Sequence, residues 1–225
     1  MFADGITLKG SYHKINQDNF KCLKLDKGVI AVLSDGLGSK RFSHIGSEAV
    51  CLSAAEIAKS LRNDLTVISP IDFVYKTYCL WKNKLSAYDL QECCATMLAV
   101  IIYSGRGFAL RLGDGFLGIS GTDGISVLYD KKADSFINET DCFGNNFNME
   151  NMESKEFCAD NFNGAVMCSD GINIGTMSAE DLICFTREFI SGYKNQKRSY
   201  ISADISSWLQ DWDGCDDKTL VYLFS

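Results

Sequence analysis

Three apolar, strand-like runs in this 225-residue chain end in Asp-Gly. Val29 to Ser34 leads into Asp35-Gly36, Phe108 to Gly113 into Asp114-Gly115, and Ala165 to Ser169 into Asp170-Gly171. A further carboxylate pair, Asp216-Asp217, stands just before the last apolar run, Leu220 to Phe224. A side chain at a strand end is held rigidly at the rim of a core. Several carboxylates gathered at one rim repel one another unless cations sit among them, and hard oxygen donors of this kind suit Mg²⁺ or Mn²⁺. The chemistry implied is metal-assisted hydrolysis of a phosphate. Asp-Gly is also a strong hairpin signal. Six such pairs occur, and those at Asp4, Asp123 and Asp213 read as plain turns.

The elements that must position these groups follow from periodicity. Strands are expected over Ile6 to Ser11, Asn19 to Leu25 and Val29 to Ser34, with Asp26-Lys27-Gly28 as a hairpin turn. A helix from about Ser43 to Leu61 presents Ile45, Ala49, Leu52, Ala55 and Ala58 on one face. The next helix starts at Pro70, the only proline, with Ser69 as cap and Asp72 at the capping-box position. Val74, Tyr78, Trp81, Leu85 and Tyr88 make its apolar stripe. Four strands then follow between Ala95 and Tyr129, and residues 130–162 read as irregular. After the strand ending at Ser169, a capping box at Ser178 opens a helix packed through Leu182, Phe185 and Phe189. Ile201, Ile205, Trp208, Leu209 and Trp212 mark a last helix before the closing strand. This order lacks the strand–helix alternation of a parallel sheet and suits antiparallel sheets covered by helices, an α+β fold. No linker or internal repeat is visible, so residues 1–225 are expected to form a single domain.

Composition narrows the partners. The net charge is −7, from 29 acids against 22 bases, which argues against nucleic acid. Eight of the acids lie in 130–162 with three lysines, a segment read as a solvated surface. No apolar run is long enough to span a membrane and no signal peptide is visible at the N-terminus. The ten cysteines show no Cys-x-x-Cys spacing, so a structural zinc site is unsupported and a reducing cytoplasm is expected.

The flanking residues give the aspartates a context. Asn16-Gln17-Asp18 opens the second strand and Asp35-Gly36-Leu37-Gly38-Ser39 follows the third. Ala95-Thr96, Gly113-Asp114-Gly115, Ser169-Asp170-Gly171 and Asp216-Asp217-Lys218-Thr219 come in that order at later element ends. This ordered set, from about Gly10 to Leu223, resembles the protein phosphatase 2C family of metal-dependent Ser/Thr phosphatases. Its Gln-Asp, Asp-Gly-x-Gly-Ser and Gly-Asp-Gly forms, with Asn138-Glu139-Thr140, are similar to a bacterial branch.

The resemblance implies an αββα sandwich, two central antiparallel sheets flanked by helix pairs, with a variable flap at about 130–162. It also implies two Mn²⁺ or Mg²⁺ ions, with room for a third, weaker site. Carried onto this sequence, Asp35 bridges two ions, the Gly36 carbonyl binds one, and Asp170 and Asp216 complete the other. Asp18 holds metal-bound water, and Asp114 with Asp170 matches the third site. The nucleophile is then a metal-activated water, which fits the absence of a nucleophile motif. The implied substrate is a phosphoserine or phosphothreonine protein, the implied partner a cognate Ser/Thr kinase, and a monomer is expected.

The departures concern substrate anchoring. His13 stands where many members have a phosphate-holding arginine, and Leu37 where many have a histidine. Gln17 replaces a glutamate, and Gly115-Phe116 replaces a Ser-Arg pair. His13 is accordingly a candidate for the lost phosphate contact, or else for a structural hydrogen-bonding role. Two other functions are compatible with these departures: a weakly catalytic, phosphoprotein-binding regulator, or a hydrolase of small phosphates.

Overall fold

The computed structural model describes residues 1–60, 69–130, 140–145, 147–172 and 177–225. Among these residues, ten strands form two antiparallel sheets. In chain order they are β1 (Phe2–Leu8), β2 (Asn19–Leu25), β3 (Gly28–Ser34), β4 (Met97–Tyr103), β5 (Arg106–Leu112), β6 (Phe116–Gly121), β7 (Gly124–Leu128), β8 (Glu153–Cys158), β9 (Phe162–Cys168) and β10 (Lys218–Phe224). Helices α1 (Ser43–Ser60) and α2 (Pro70–Lys84) follow β3; α3 (Ala179–Tyr193) and α4 (Arg198–Asp211) precede β10. One sheet has the order β2-β3-β4-β5-β8 and the other β1-β10-β9-β6-β7. This is the expected αββα sandwich.

The central strands are continuous apolar runs because both their faces are buried. In β3, Ile30 and Val32 pack under α1 and α2, while Val29, Ala31 and Leu33 face the other sheet. β4 splits the same way, with Met97, Ala99 and Ile101 toward the helices and Leu98, Val100 and Ile102 toward the sandwich interior. In β10, Val221 and Leu223 point into the interior and Leu220, Tyr222 and Phe224 lie under α3 and α4. Both expected caps form. The Ser69 hydroxyl accepts from the Asp72 amide, and Ser178 with Asp181 makes a reciprocal capping box.

Four sequence expectations change. Asp4-Gly5 is not a turn: both residues lie inside β1, which begins at Phe2 and pairs with β10 from Phe2↔Phe224 to Leu8↔Lys218. Glycine is accommodated there because a Cβ at position 5 would come within 2.9 Å of Phe20 and Val221 side chains. The segment read as irregular contains β8, an edge strand on β5. Its Glu-Ser-Lys-Glu-Phe-Cys sequence is mostly exposed and shows no apolar alternation, as suits a protected edge. On α1 the buried face is lined by small residues (Gly46, Ala49, Val50, Ser53, Ala54), and Leu52 is exposed. Gly46 is required by that close approach, since a Cβ there would stand 1.9 Å from the Cys93 carbonyl oxygen. Tyr88 lies beyond the end of α2 and is exposed. The end of the first helix at Leu61, Asn138-Glu139 and most of the acidic front of the flap lie outside the described residues.

Candidate active site

Antiparallel register brings the acidic motifs to one rim. Asn19 pairs with Ser34, so Asp18 at the start of β2 lies beside Asp35 at the end of β3. Leu33 pairs with Leu98 and Met97 with Leu112, which carries the ends of β4 and β5 to the same edge. Phe116 and Leu220 both pair with Cys168, so the connection holding Asp114, the Asp170 turn and the approach to β10 meet at the rim of the second sheet. Asp114 therefore sits where the chain crosses from one sheet to the other.

Carboxylate oxygens of Asp35, Asp114 and Asp170 all lie within 4.8 Å of one another. Asp18, buried, is within hydrogen-bonding reach of Asp35. Burial pushes Asp18 up to about 6, and Asp170's charge adds to the rise. Burial likewise pushes Asp114 up to about 6, again with Asp170's charge behind it. Asp35 is raised well above its usual range by burial, then by the charges of Asp18 and Asp170. Protons on these groups substitute for missing countercharge. The donor set is all oxygen, hard and densely anionic, and one buried Asp18 oxygen, Oδ1, has no hydrogen-bond donor among the described residues. These residues fit a hard divalent cation.

Hydroxyls and amides fix the carboxylates. The Asp35 amide donates to Thr96 Oγ1 at 2.9 Å, and the Thr96 amide donates back to the Asp35 carbonyl at 2.7 Å. Leu37 donates to the Cys94 carbonyl, so the Gly36 carbonyl stays outside this short ladder. Position 36 admits only glycine, since a Cβ would meet the Ser43 backbone at 2.7 Å. Ser169 Oγ donates to Asp18 Oδ2 at 2.7 Å and accepts from the Thr219 amide at 3.0 Å. Thr140 Oγ1 donates to Asp114 Oδ2 at 2.8 Å. The Arg111 guanidinium donates to the Gly113 carbonyl and to Glu153, bracing the turn before Asp114.

Asp216 is placed differently. It is exposed and lies beside Gly171, but its Oδ1 is 3.4 Å from His13 Nδ1. His13, Asp216 and Asp217 form a second group of ligand atoms that all lie within 4.8 Å of one another. Asp217 is buried and accepts from the amides of Gly10 at 2.8 Å and Gln17 at 2.7 Å, so it pins the loop that carries His13. Sequence reasoning missed this anchoring role: Asp216-Asp217 is visible as a pair, but which carboxylate turns inward depends on the β9–β10 register. Lys14 is exposed, and His13 is partly buried against Gly38.

The family model described as Protein phosphatase 2C matches residues 11–212. The chain belongs to the protein phosphatase 2C family. The family places it among the metal-dependent protein phosphatases, and its substrate class is phosphorylated protein. Solved structures agree on the fold. A serine/threonine phosphatase from Staphylococcus aureus superposes with a TM-score of 0.70 at 13% identity, covering all of this chain (100%) and 95% of the other. The S. agalactiae serine/threonine phosphatase gives 0.66 at 16% identity, covering 99% and 98%. A C. elegans sex determining protein gives 0.68 at 16% identity, covering 99% of this chain but 64% of that one. No curated protein sequence matches. Among the described residues, no helix is long and apolar enough to cross a membrane.

One glycine tests the rim directly. A Cβ at Gly171 would stand 1.9 Å from the Asp217 carbonyl oxygen, a backbone atom that cannot swing aside. Gly171→Ala is expected to cost about 3 kcal/mol, the upper end of overpacking penalties. A thermal melt indistinguishable from the parent would contradict the close approach.

Proposed function

We propose that this phosphatase hydrolyses phosphoserine and phosphothreonine with Mn²⁺ or Mg²⁺ held at the Asp35–Asp114–Asp170 cluster. The convergence of those three carboxylates within 4.8 Å, with Asp35 and Asp114 raised by burial and by the charge of Asp170, carries the reading. By the family resemblance, Asp35, the Gly36 carbonyl, Asp170 and Asp216 would hold two ions, and Asp114 with Asp170 would hold a third. When bound, such ions supply a hydroxide at neutral pH and a clamp for phosphoryl oxygens. The chain's own contribution is placement. Thr96 and Ser169 orient Asp35 and Asp18 through the bonds above, and Asp18 positions water. His13, with a side chain only 13% exposed and its Nδ1 3.5 Å from Asp217, is the candidate for the phosphate contact. We further propose a monomer acting against a Ser/Thr kinase in the cytoplasm, on the same resemblance.

The test is hydrolysis of p-nitrophenyl phosphate and a phosphothreonine peptide, each with Mn²⁺, with Mg²⁺ and with excess chelator. Turnover of both substrates is expected with added cation, falling to background with chelator. Chelator-resistant turnover would oppose the metal assignment. Turnover of the small ester alone would point to a small-phosphate hydrolase.

A further inference from the structure

Beside the acidic rim lies a cavity of about 410 Å³, lined by Leu37, Gly38, Lys40, Cys94, Thr140 and Cys142 among others. Two thiols, 48 positions apart in sequence, meet there. The backbones carrying them are joined by the reciprocal amide bonds of Ala95 and Phe143, at 3.2 and 2.8 Å. A Cβ on Gly144 would stand 2.9 Å from Cys94 Sγ and 3.9 Å from Cys142 Sγ, so both sulfurs border one small gap. The thiols are also within hydrogen-bonding reach of each other. We propose that Cys94 and Cys142 form an oxidisable dithiol, closed to a disulfide by hydrogen peroxide that enters this cavity.

The surroundings suit that chemistry. The hydrogen bond from Cys142 pulls Cys94 down to about 7 against the opposing effect of burial, and the Lys40 charge adds to the lowering. Cys142 is pushed up, first by that same bond, so the pair divides into an attacking thiolate and a resolving thiol. The remaining described cysteines lack this arrangement: burial raises Cys22, Cys51, Cys93 and Cys168, and Cys79, Cys158, Cys184 and Cys215 are exposed. In the first step the Cys94 thiolate attacks a peroxide oxygen. The O–O bond breaks, Cys94 becomes a sulfenic acid, and the released hydroxide takes a proton to form water. The Cys142 sulfur then displaces the sulfenic hydroxyl, which leaves as a second water as the S–S bond forms. Two thiols lose two electrons to one peroxide. The crosslink ties the segment whose Thr140 holds Asp114 to the segment whose Thr96 holds Asp35. This inference does not depend on the metal assignment.

The experiment treats the reduced, full-length protein with stoichiometric hydrogen peroxide at pH 7, followed by alkylation, non-reducing digestion and mass spectrometry. A Cys94–Cys142 peptide crosslink, two hydrogens lighter than the reduced pair, is expected before modification elsewhere. Cys94, lowered to about 7, should oxidise roughly tenfold faster than an ordinary free thiol of pKa about 8.5, reflecting its larger thiolate fraction at that pH. In Cys142→Ser, Cys94 should be trapped as a dimedone adduct. Oxidation of Cys79, Cys158, Cys184 and Cys215 while Cys94 and Cys142 stay reduced would overturn the proposal, and so would a crosslink of Cys94 to any other cysteine. The unsubstituted protein distinguishes these outcomes whether or not the variant folds.

Discussion

Asp35→Asn is expected to lower phosphatase activity on the order of 10³-fold while leaving the protein folded. Losing an outer-shell partner of a metal ligand typically costs about 10–100-fold, so losing a ligand proposed to serve two ions should cost more. The amide keeps the size of the side chain. It leaves the Asp35 backbone bonds to Thr96 in place, because they use main-chain atoms. It also removes a buried carboxyl whose ionisation burial and the charges of Asp18 and Asp170 oppose, so the cation-free variant should melt no lower than the parent. The informative comparison is therefore activity against melting temperature. Activity within tenfold of the parent at saturating Mn²⁺ would remove Asp35 from the reaction. Activity lost together with the fold would instead mark it as structural.

The second large effect is on stability. In the cation-free protein, Asp18 titrates near 6 because it is buried, against an ordinary carboxylate value of 3.8. Between those two values the folded chain holds more protons than the unfolded chain. Stability must then fall as pH rises through that window, the reverse of the usual carboxylate behaviour. A rise of about two units in one buried group corresponds to about 3 kcal/mol at neutral pH, or roughly 6–12 °C in a chain of this size. Asp35 and Asp114 act in the same direction, but the three are coupled and their effects do not add. In chelator, the melting temperature should decline from pH 4.5 to 7. Mn²⁺ at about a hundred times its dissociation constant should return about 2.7 kcal/mol at pH 7, and little at pH 4.5, where protons occupy the carboxylates. Asp18→Asn should flatten the chelator profile. A flat profile in the parent, or Mn²⁺ stabilisation equal at both pH values, would show that these carboxylates carry no such strain.

The chain announces much of its architecture locally. Strands buried on both faces read as unbroken apolar runs, as in β3, β4 and β10, and the capping residues Ser69 and Ser178 mark two helix starts without reference to anything distant. The aspartates at strand ends are legible for the same reason: a strand that stops at Asp-Gly fixes where its carboxylate emerges. Given antiparallel pairing, Asp18, Asp35, Asp114 and Asp170 have to share an edge.

Other features were decided only by contacts between distant segments. β1 swallows the Asp4-Gly5 turn signal because pairing with β10 outweighs a two-residue preference. β8 forms from a charged, unpatterned sequence because the open edge of β5 supplies its hydrogen bonds. The inward turn of Asp217, the meeting of His13 with Asp216, and the approach of Cys94 to Cys142 all depend on register across chain separations that no local pattern encodes. Periodicity tells which face of an element is buried. Only the packed sheets determine what lies against it, because side-chain partners are set by strand register and layer stacking, and those are properties of the whole chain.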